Sequence, residues 1–139
     1  MSADNKALIR RFYEEAFSEG RFSTIDELIA QDAVEHEPVP GATGNVRADL
    51  KAWLTQLRAA FSEMHLSVED LLAEDDRVAV RCTLTGVHSG DLMSIPPTGR
   101  SVAVTVLDIV RISGGLIVEH WGVTDTAGML GQLGVGTGV

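Results

Sequence analysis

A histidine stands in the middle of an otherwise apolar run near the end of this chain, Leu116-Ile117-Val118-Glu119-His120-Trp121-Gly122-Val123. Runs of this composition form strand interiors, and an imidazole among them points to a polar group aimed into an enclosed pocket. An aspartate interrupts the preceding apolar run in the same way, in Val106-Leu107-Asp108-Ile109-Val110. A carboxylate beside an imidazole fixes its tautomer and raises its basicity, which suits proton transfer near neutral pH. Whether the two meet depends on the turn between them. A three-residue loop at Ser113-Gly114-Gly115 sets Ile112 against Leu116 and Asp108 against His120, on one face. A two-residue turn sets Asp108 and His120 on opposite faces. His120 and Asp108 are the candidate catalytic pair.

A second group of residues could touch a ligand. Tyr13 carries a hydroxyl that needs a partner wherever the ring is buried. Trp53 and Met93 could line an apolar wall, although the helical spacing of Trp53 equally suits the core. His36 ends a short extended segment, Val34-Glu35-His36-Glu37-Pro38, and is read as either pocket-lining or surface. His88 lies in Gly86-Val87-His88-Ser89-Gly90, where it could reach a cavity mouth or bond within the turn. The four histidines show no i, i+3 or i, i+4 pair and the single cysteine, Cys82, has no mate, so neither a metal site nor a disulfide is expected. Cys82 falls in an apolar strand pattern and reads as a buried thiol. The glycine-rich pieces lack a strand–loop–helix phosphate context, and neither a flavin nor a nicotinamide site is expected.

The elements that must position these groups follow from periodicity. Residues 4–19 place Leu8, Ile9, Phe12, Tyr13, Ala16 and Phe17 on one helical stripe, ended by Gly20. Ser23 reads as the N-cap of a short helix over 25–30, residues 33–37 are extended, and a loop over 38–44 leads to a third helix over 46–61. From there the period shortens to 2. Residues 65–73, 77–88, 101–112 and 116–123 read as strands, and a short helix over 126–133 is capped by Asp125. The tail over 134–139 is glycine-rich and reads as frayed. Helices first and strands afterwards indicate an α+β fold, with helices on one face of a mostly antiparallel sheet. Val106, Val110, Leu116 and Val118 are expected on one face of that sheet, and Leu107, Ile109 and Ile117 on the other. Helices cover one face only, so the second is expected against another copy of the chain, in a homodimer.

The length of 139 residues suits a single domain over 1–139. A net charge of −9 argues against nucleic acid as a partner, because phosphate would be repelled. No apolar stretch approaches the ~20 residues of a membrane span, so no membrane partner is expected. The N-terminus opens directly into an amphipathic helix, and a cytoplasmic location is expected.

In order along the chain, Gly86-Val87-His88-Ser89-Gly90, Ile95-Pro96-Pro97-Thr98-Gly99-Arg100, Asp108-Ile109-Val110-Arg111-Ile112, Glu119-His120-Trp121 and Gln132-Leu133-Gly134 resemble the SnoaL-like polyketide cyclases, within the nuclear transport factor 2-like superfamily. The resemblance runs from Leu8 to Gly134. It implies a cone-shaped curved antiparallel sheet, with three N-terminal helices packed on one face and an apolar pocket between. It also implies cofactor-independent acid/base chemistry on a polyketide-like or other apolar carbonyl substrate, by aldol-type cyclisation or a related rearrangement. The family pattern favours the three-residue hairpin loop and an inward His120. On that reading His120 is the general base, oriented by Asp108, with Tyr13 or His36 donating to a developing enolate oxygen. Those cyclases carry their acid/base aspartate two residues after the histidine, where this chain has Gly122. Asp108 stands where they place a second pocket histidine. Hydroxylase-like, epoxide hydrolase-like and purely ligand-binding proteins share the fold, and these are the competing readings.

Overall fold

The computed structural model describes residues 2–135, Ser2 by its backbone only. Of the tail expected over 134–139, residues 136–139 lie outside the described residues. The chain begins with helix α1, Ser2–Phe12, which passes into a π-helical turn over Tyr13–Ser18. The single α-helix expected over 4–19 is thus broken at Tyr13. The wider turn lets Phe12, Tyr13 and Phe17 all reach the same cavity. Gly20, in the left-handed region, ends the segment as expected. Helix α2, Ser23–Leu28, starts at the residue expected to cap it.

Strand β1, Ile29–Glu35, follows without a break, earlier than the extended segment expected at 33–37. The loop after it is tied down by Asp49, whose carboxylate accepts from the Thr43 and Gly44 amides and the Thr43 hydroxyl. Asn45 caps helix α3, Val46–Ala60, by accepting from the Ala48 amide at 3.1 Å. Strand β2, Phe61–Glu74, begins at the residue expected to close that helix. Strands β3, Arg77–His88, β4, Ser101–Ser113, and β5, Leu116–Thr124, complete the sheet. Helix α4, Thr126–Gln132, is capped by the Asp125 carboxylate on the Gly128 amide, as the sequence suggests.

The sheet runs in the order β1-β5-β4-β3-β2. Its pairings are antiparallel except for β1 on β5, which is parallel. Irregularities in β2 and at Val118 in β5 bend it. The three N-terminal helical segments close the concave face, and the core fills between them with Ile9, Ile25, Leu54, Val78, Val104 and Val110. Along β3 and β4 the even-numbered residues point inward, Cys82 among them, and burial pushes its thiol up to about 12. Leu107, Ile109 and Val123 point outward and are exposed. No helix among the described residues is long and apolar enough to cross a membrane.

The hairpin between β4 and β5 differs from the expected one. Gly114 and Gly115 both sit in the left-handed region and form a two-residue turn, so Ser113 faces Leu116 and Ile112 faces Ile117. Alone, that turn would put Asp108 and His120 on opposite faces. Val118 is an extra residue in β5, however, and beyond it Arg111 faces Glu119 and Asp108 faces Gly122. Turn and bulge together displace the register by two residues from the expected one. Parity is therefore kept, and His120 and Asp108 share a face as diagonal neighbours rather than direct partners. Ile117, before the bulge, points into the cavity and not to the outer face.

Candidate active site

A cavity of about 630 Å³ opens between the helices and the concave face of the sheet. That is the size class of small-molecule sites. Phe12, Phe17, Trp53, Val106, Val110 and Ile117 form much of its apolar wall. One connected set of polar side chains crosses this wall. The Tyr13 hydroxyl donates to Asp108 Oδ2 in a short hydrogen bond. His120 Nε2 lies 3.0 Å from Asp108 Oδ1, and His120 Nδ1 lies 2.5 Å from Glu35 Oε2.

The order Tyr13–Asp108–His120–Glu35 fixes proton positions by geometry. Both ring nitrogens of His120 face carboxylate oxygens, which only accept. A neutral imidazole would set a lone pair against one of them. With both carboxyls ionised, the ring is satisfied at both ends only as an imidazolium. Burial opposes its charge, but the hydrogen bonds and charges of Asp108 and Glu35 outweigh burial and raise His120 from 6.5 to about 9. Tyr13 is almost fully buried, and burial followed by the Asp108 charge pushes its phenol well above 10, so it stays a donor.

Gly122 is the direct partner of Asp108 across β4 and β5. A Cβ at 122 would come 1.9 Å from Asp108 Oδ1 and 3.0 Å from His120 Nε2. The Asp108 carboxylate therefore fills the space in which a side chain at 122 would begin.

The structure brings Tyr13, Trp53, Asp108 and His120 together around the cavity. It places three other candidates elsewhere. His36 lies outside: its Nε2 meets Glu119 Oε2 at 2.6 Å, and its ring stacks on Trp121 with centroids 4.6 Å apart. Strand alternation is the reason, since in β1 it is Glu35 that turns inward. His88 is fully buried away from the cavity, at the far end of β3. Its Nδ1 accepts from the Thr98 amide at 3.2 Å, and its backbone bonds Gly99 and Arg100, so it clamps the loop over 89–100. Met93 sits at the exposed tip of that loop with φ at +51°. Sequence reasoning missed Glu35. Its only signal was position, one residue before His36 in a short strand.

Trp121 faces outward, as its alternation with His120 requires. The Arg77 guanidinium lies 5.0 Å from its ring centroid. Arg111 is bonded to Glu119 at 2.7 Å and Arg81 to Asp70 at 2.7 Å, both on the outer face. No arginine or lysine lines the cavity among the described residues.

Fold and site together define a cone-shaped α+β protein that holds a linked cluster of titratable side chains in an apolar pocket. Comparison with known proteins places it more narrowly. The profile of the SnoaL-like polyketide cyclases matches residues 7–133. The aklanonic acid methyl ester cyclase DauD of Streptomyces sp. (strain C5) is 32% identical over 135 residues, covering 91% of this chain and 80% of that protein. The nogalonic acid methyl ester cyclase of Streptomyces nogalater is 33% identical over 126 residues, covering 86% of this chain and 90% of its own. The crystal structure of IdmH, a candidate polyketide cyclase from Streptomyces antibioticus, superposes with a TM-score of 0.82 at 39% identity, covering 94% of this chain and 99% of that one. The chain belongs to the SnoaL-like polyketide cyclase family.

Proposed function

We propose that this protein closes a ring in a polyketide ester by an intramolecular aldol reaction, without a cofactor, and that Asp108 is the acid/base. The observation that carries the reading is the Asp108 carboxylate in the space of a 122 side chain, held by donors from Tyr13 and His120. On this reading the missing family aspartate is supplied from the neighbouring strand, and the glycine at 122 makes room for it.

Asp108 takes a proton from a carbon next to a carbonyl. The carbanion pair attacks a ketone carbon of the same molecule, and the carbonyl π pair moves to oxygen as an alkoxide. Protonated Asp108 returns its proton to that alkoxide. Nothing is gained or lost, so the product is an isomer of the substrate. His120 is not the base in this scheme. As an imidazolium it supplies a positive charge in an apolar site while negative charge moves onto the substrate. Tyr13 orients Asp108 rather than the enolate. The apolar wall takes up the fused rings and excludes water. An epoxide-opening role would call for an arginine in the cavity, and the lining offers none.

The exposed Leu72, Leu107, Ile109 and Val123 on the outer sheet face support a homodimer as the working form.

The test is to incubate the purified protein with aklanonic acid methyl ester or nogalonic acid methyl ester and separate the products. A product of unchanged mass and changed retention is expected. Asp108→Asn should lower its rate by roughly 100-fold or more. Binding without conversion would leave a carrier, and oxygen from labelled water in the product would leave a hydrolase; either result overturns the proposal.

A further inference from the structure

Glu35 brings a second carboxylate to the cavity, and it exchanges no proton with the substrate in the aldol sequence. Three contacts hold it in place. Glu35 pairs in register with His120 across the parallel β1–β5 ladder, and the His36 amide donates to the His120 carbonyl at 3.0 Å. The Glu37 amide donates to Glu35 Oε2 at 3.1 Å, the same oxygen that meets His120 Nδ1. The side chain is 22% exposed, against 8% for Asp108. Glu35 thus faces His120 from the end opposite Asp108, nearer the cavity mouth.

We propose that Glu35 is a positioning residue that holds His120 as an imidazolium at neutral pH and so assigns the roles in the site: the histidine donates, and proton abstraction falls to Asp108. With Asp108 alone, His120 has a single carboxylate partner, and its Nδ1 is free to lose a proton and act as a base. With Glu35 in place, deprotonation at either nitrogen sets a lone pair against a carboxylate oxygen. One carboxylate selects a tautomer, whereas two select a charge state.

Every element packed around the ring agrees with this assignment. From β4 comes Asp108, with the Tyr13 phenol of the π-helical turn behind it. From β3, the Cys82 thiol is held neutral by burial. From α3, Asp49 stands at the cavity wall. On β5 itself, the Glu119 carboxylate is taken up by Arg111 and His36, and after β1 Glu37 stands with Asp49 among the cavity-lining residues. Among the described residues, nothing cationic faces His120. The shift of His120 to about 9 is in line with this geometry.

The inference rests on the cyclase reading only for its catalytic consequence, and its first test needs no substrate. The full chain, labelled with nitrogen-15 in histidine, is titrated by NMR through the ring nitrogen shifts. In the unaltered protein both ring nitrogens of His120 should be protonated at neutral pH. In Glu35→Gln, which keeps an acceptor but removes the charge, the His120 midpoint should fall by about one unit or more. Glu35→Asp, with the charge drawn back by one methylene, should fall between the two. A neutral His120 ring in the unaltered protein overturns the proposal. So does a midpoint in Glu35→Gln equal to that of the parent. Should Glu35→Gln fail to fold, the unaltered protein and Glu35→Asp decide. With the methyl ester substrates, the alkaline limb of the kcat profile should move down with the NMR midpoint. Cyclisation with an unmoved midpoint defeats the role of Glu35 alone. A moved midpoint without cyclisation defeats the cyclase reading alone.

Discussion

Moving one carboxylate between two strands tests the core of the site. In Gly122→Ala the new Cβ stands 1.9 Å from Asp108 Oδ1, where ordinary contact begins at 3.4 Å. The Asp108 carboxylate must retreat by about 1.5 Å, and its contacts to Tyr13 and His120 cannot both survive. Overpacking costs roughly 1–3 kcal/mol. A hydrogen bond to a charged group lost in burial adds roughly 1.5–3 kcal/mol. Gly122→Ala should therefore lose on the order of 3 kcal/mol. Gly122→Asp should lose more, because two carboxylates then crowd one spot. Asp108→Ala should also destabilise, since it strips Tyr13 of its acceptor and His120 of one carboxylate. The double variant Asp108→Ala/Gly122→Asp removes the crowding and returns a carboxylate from β5. Urea unfolding at neutral pH, with unchanged m, gives the four stabilities of the cycle. The double variant should be more stable than the sum of the single losses by at least about 1 kcal/mol, the coupling expected of residues in contact. Additivity within about 0.5 kcal/mol would refute the shared space on which the reading of Gly122 depends.

Three further outcomes are expected. Tyr13→Phe keeps the ring packing but removes the donor to Asp108, and should cost roughly 2 kcal/mol in urea unfolding together with a loss of kcat; an unchanged midpoint and rate would show the bond to be idle. His120 has its folded value raised from 6.5 to about 9, so its contribution is complete below 6.5 and is lost as pH rises through 9. That contribution is on the order of 3 kcal/mol. Unfolding of the parent at the two ends of this window should show the loss, and His120→Gln should remove most of the difference. On the outer face, Leu107→Lys and Val123→Lys should convert a dimer to a folded monomer in sedimentation velocity; a monomeric parent would refute the dimer.

Much of this site was legible because strand alternation is local. The period of 2 through 101–112 and 116–123 was enough to set Asp108 inward, and alternation set Trp121 opposite His120. What was not legible depends on partners distant in sequence. Two consecutive glycines after a serine fit both a two- and a three-residue turn, and nothing in Val118 marks it as a bulge. The bulge is fixed by β1 as well as β4, since the β1–β5 ladder also shifts register around Val118. The same dependence explains why Glu35, and not His36, faces the cavity. The choice between adjacent residues of a short edge strand is made by the parallel pairing of Glu35 with His120, a contact spanning most of the chain. His88 stayed open between two readings for a related reason, because a histidine ending a strand can turn either to the cavity or to the returning loop, and the Thr98 amide decides for the loop. Gly122 carried more information than its lack of chemistry suggested. A glycine directly opposite an inward aspartate leaves space for that carboxylate, and here the two positions can hold one side chain between them but not two. Loss of a catalytic side chain at one position of a strand pair therefore says little until the residue across from it is known.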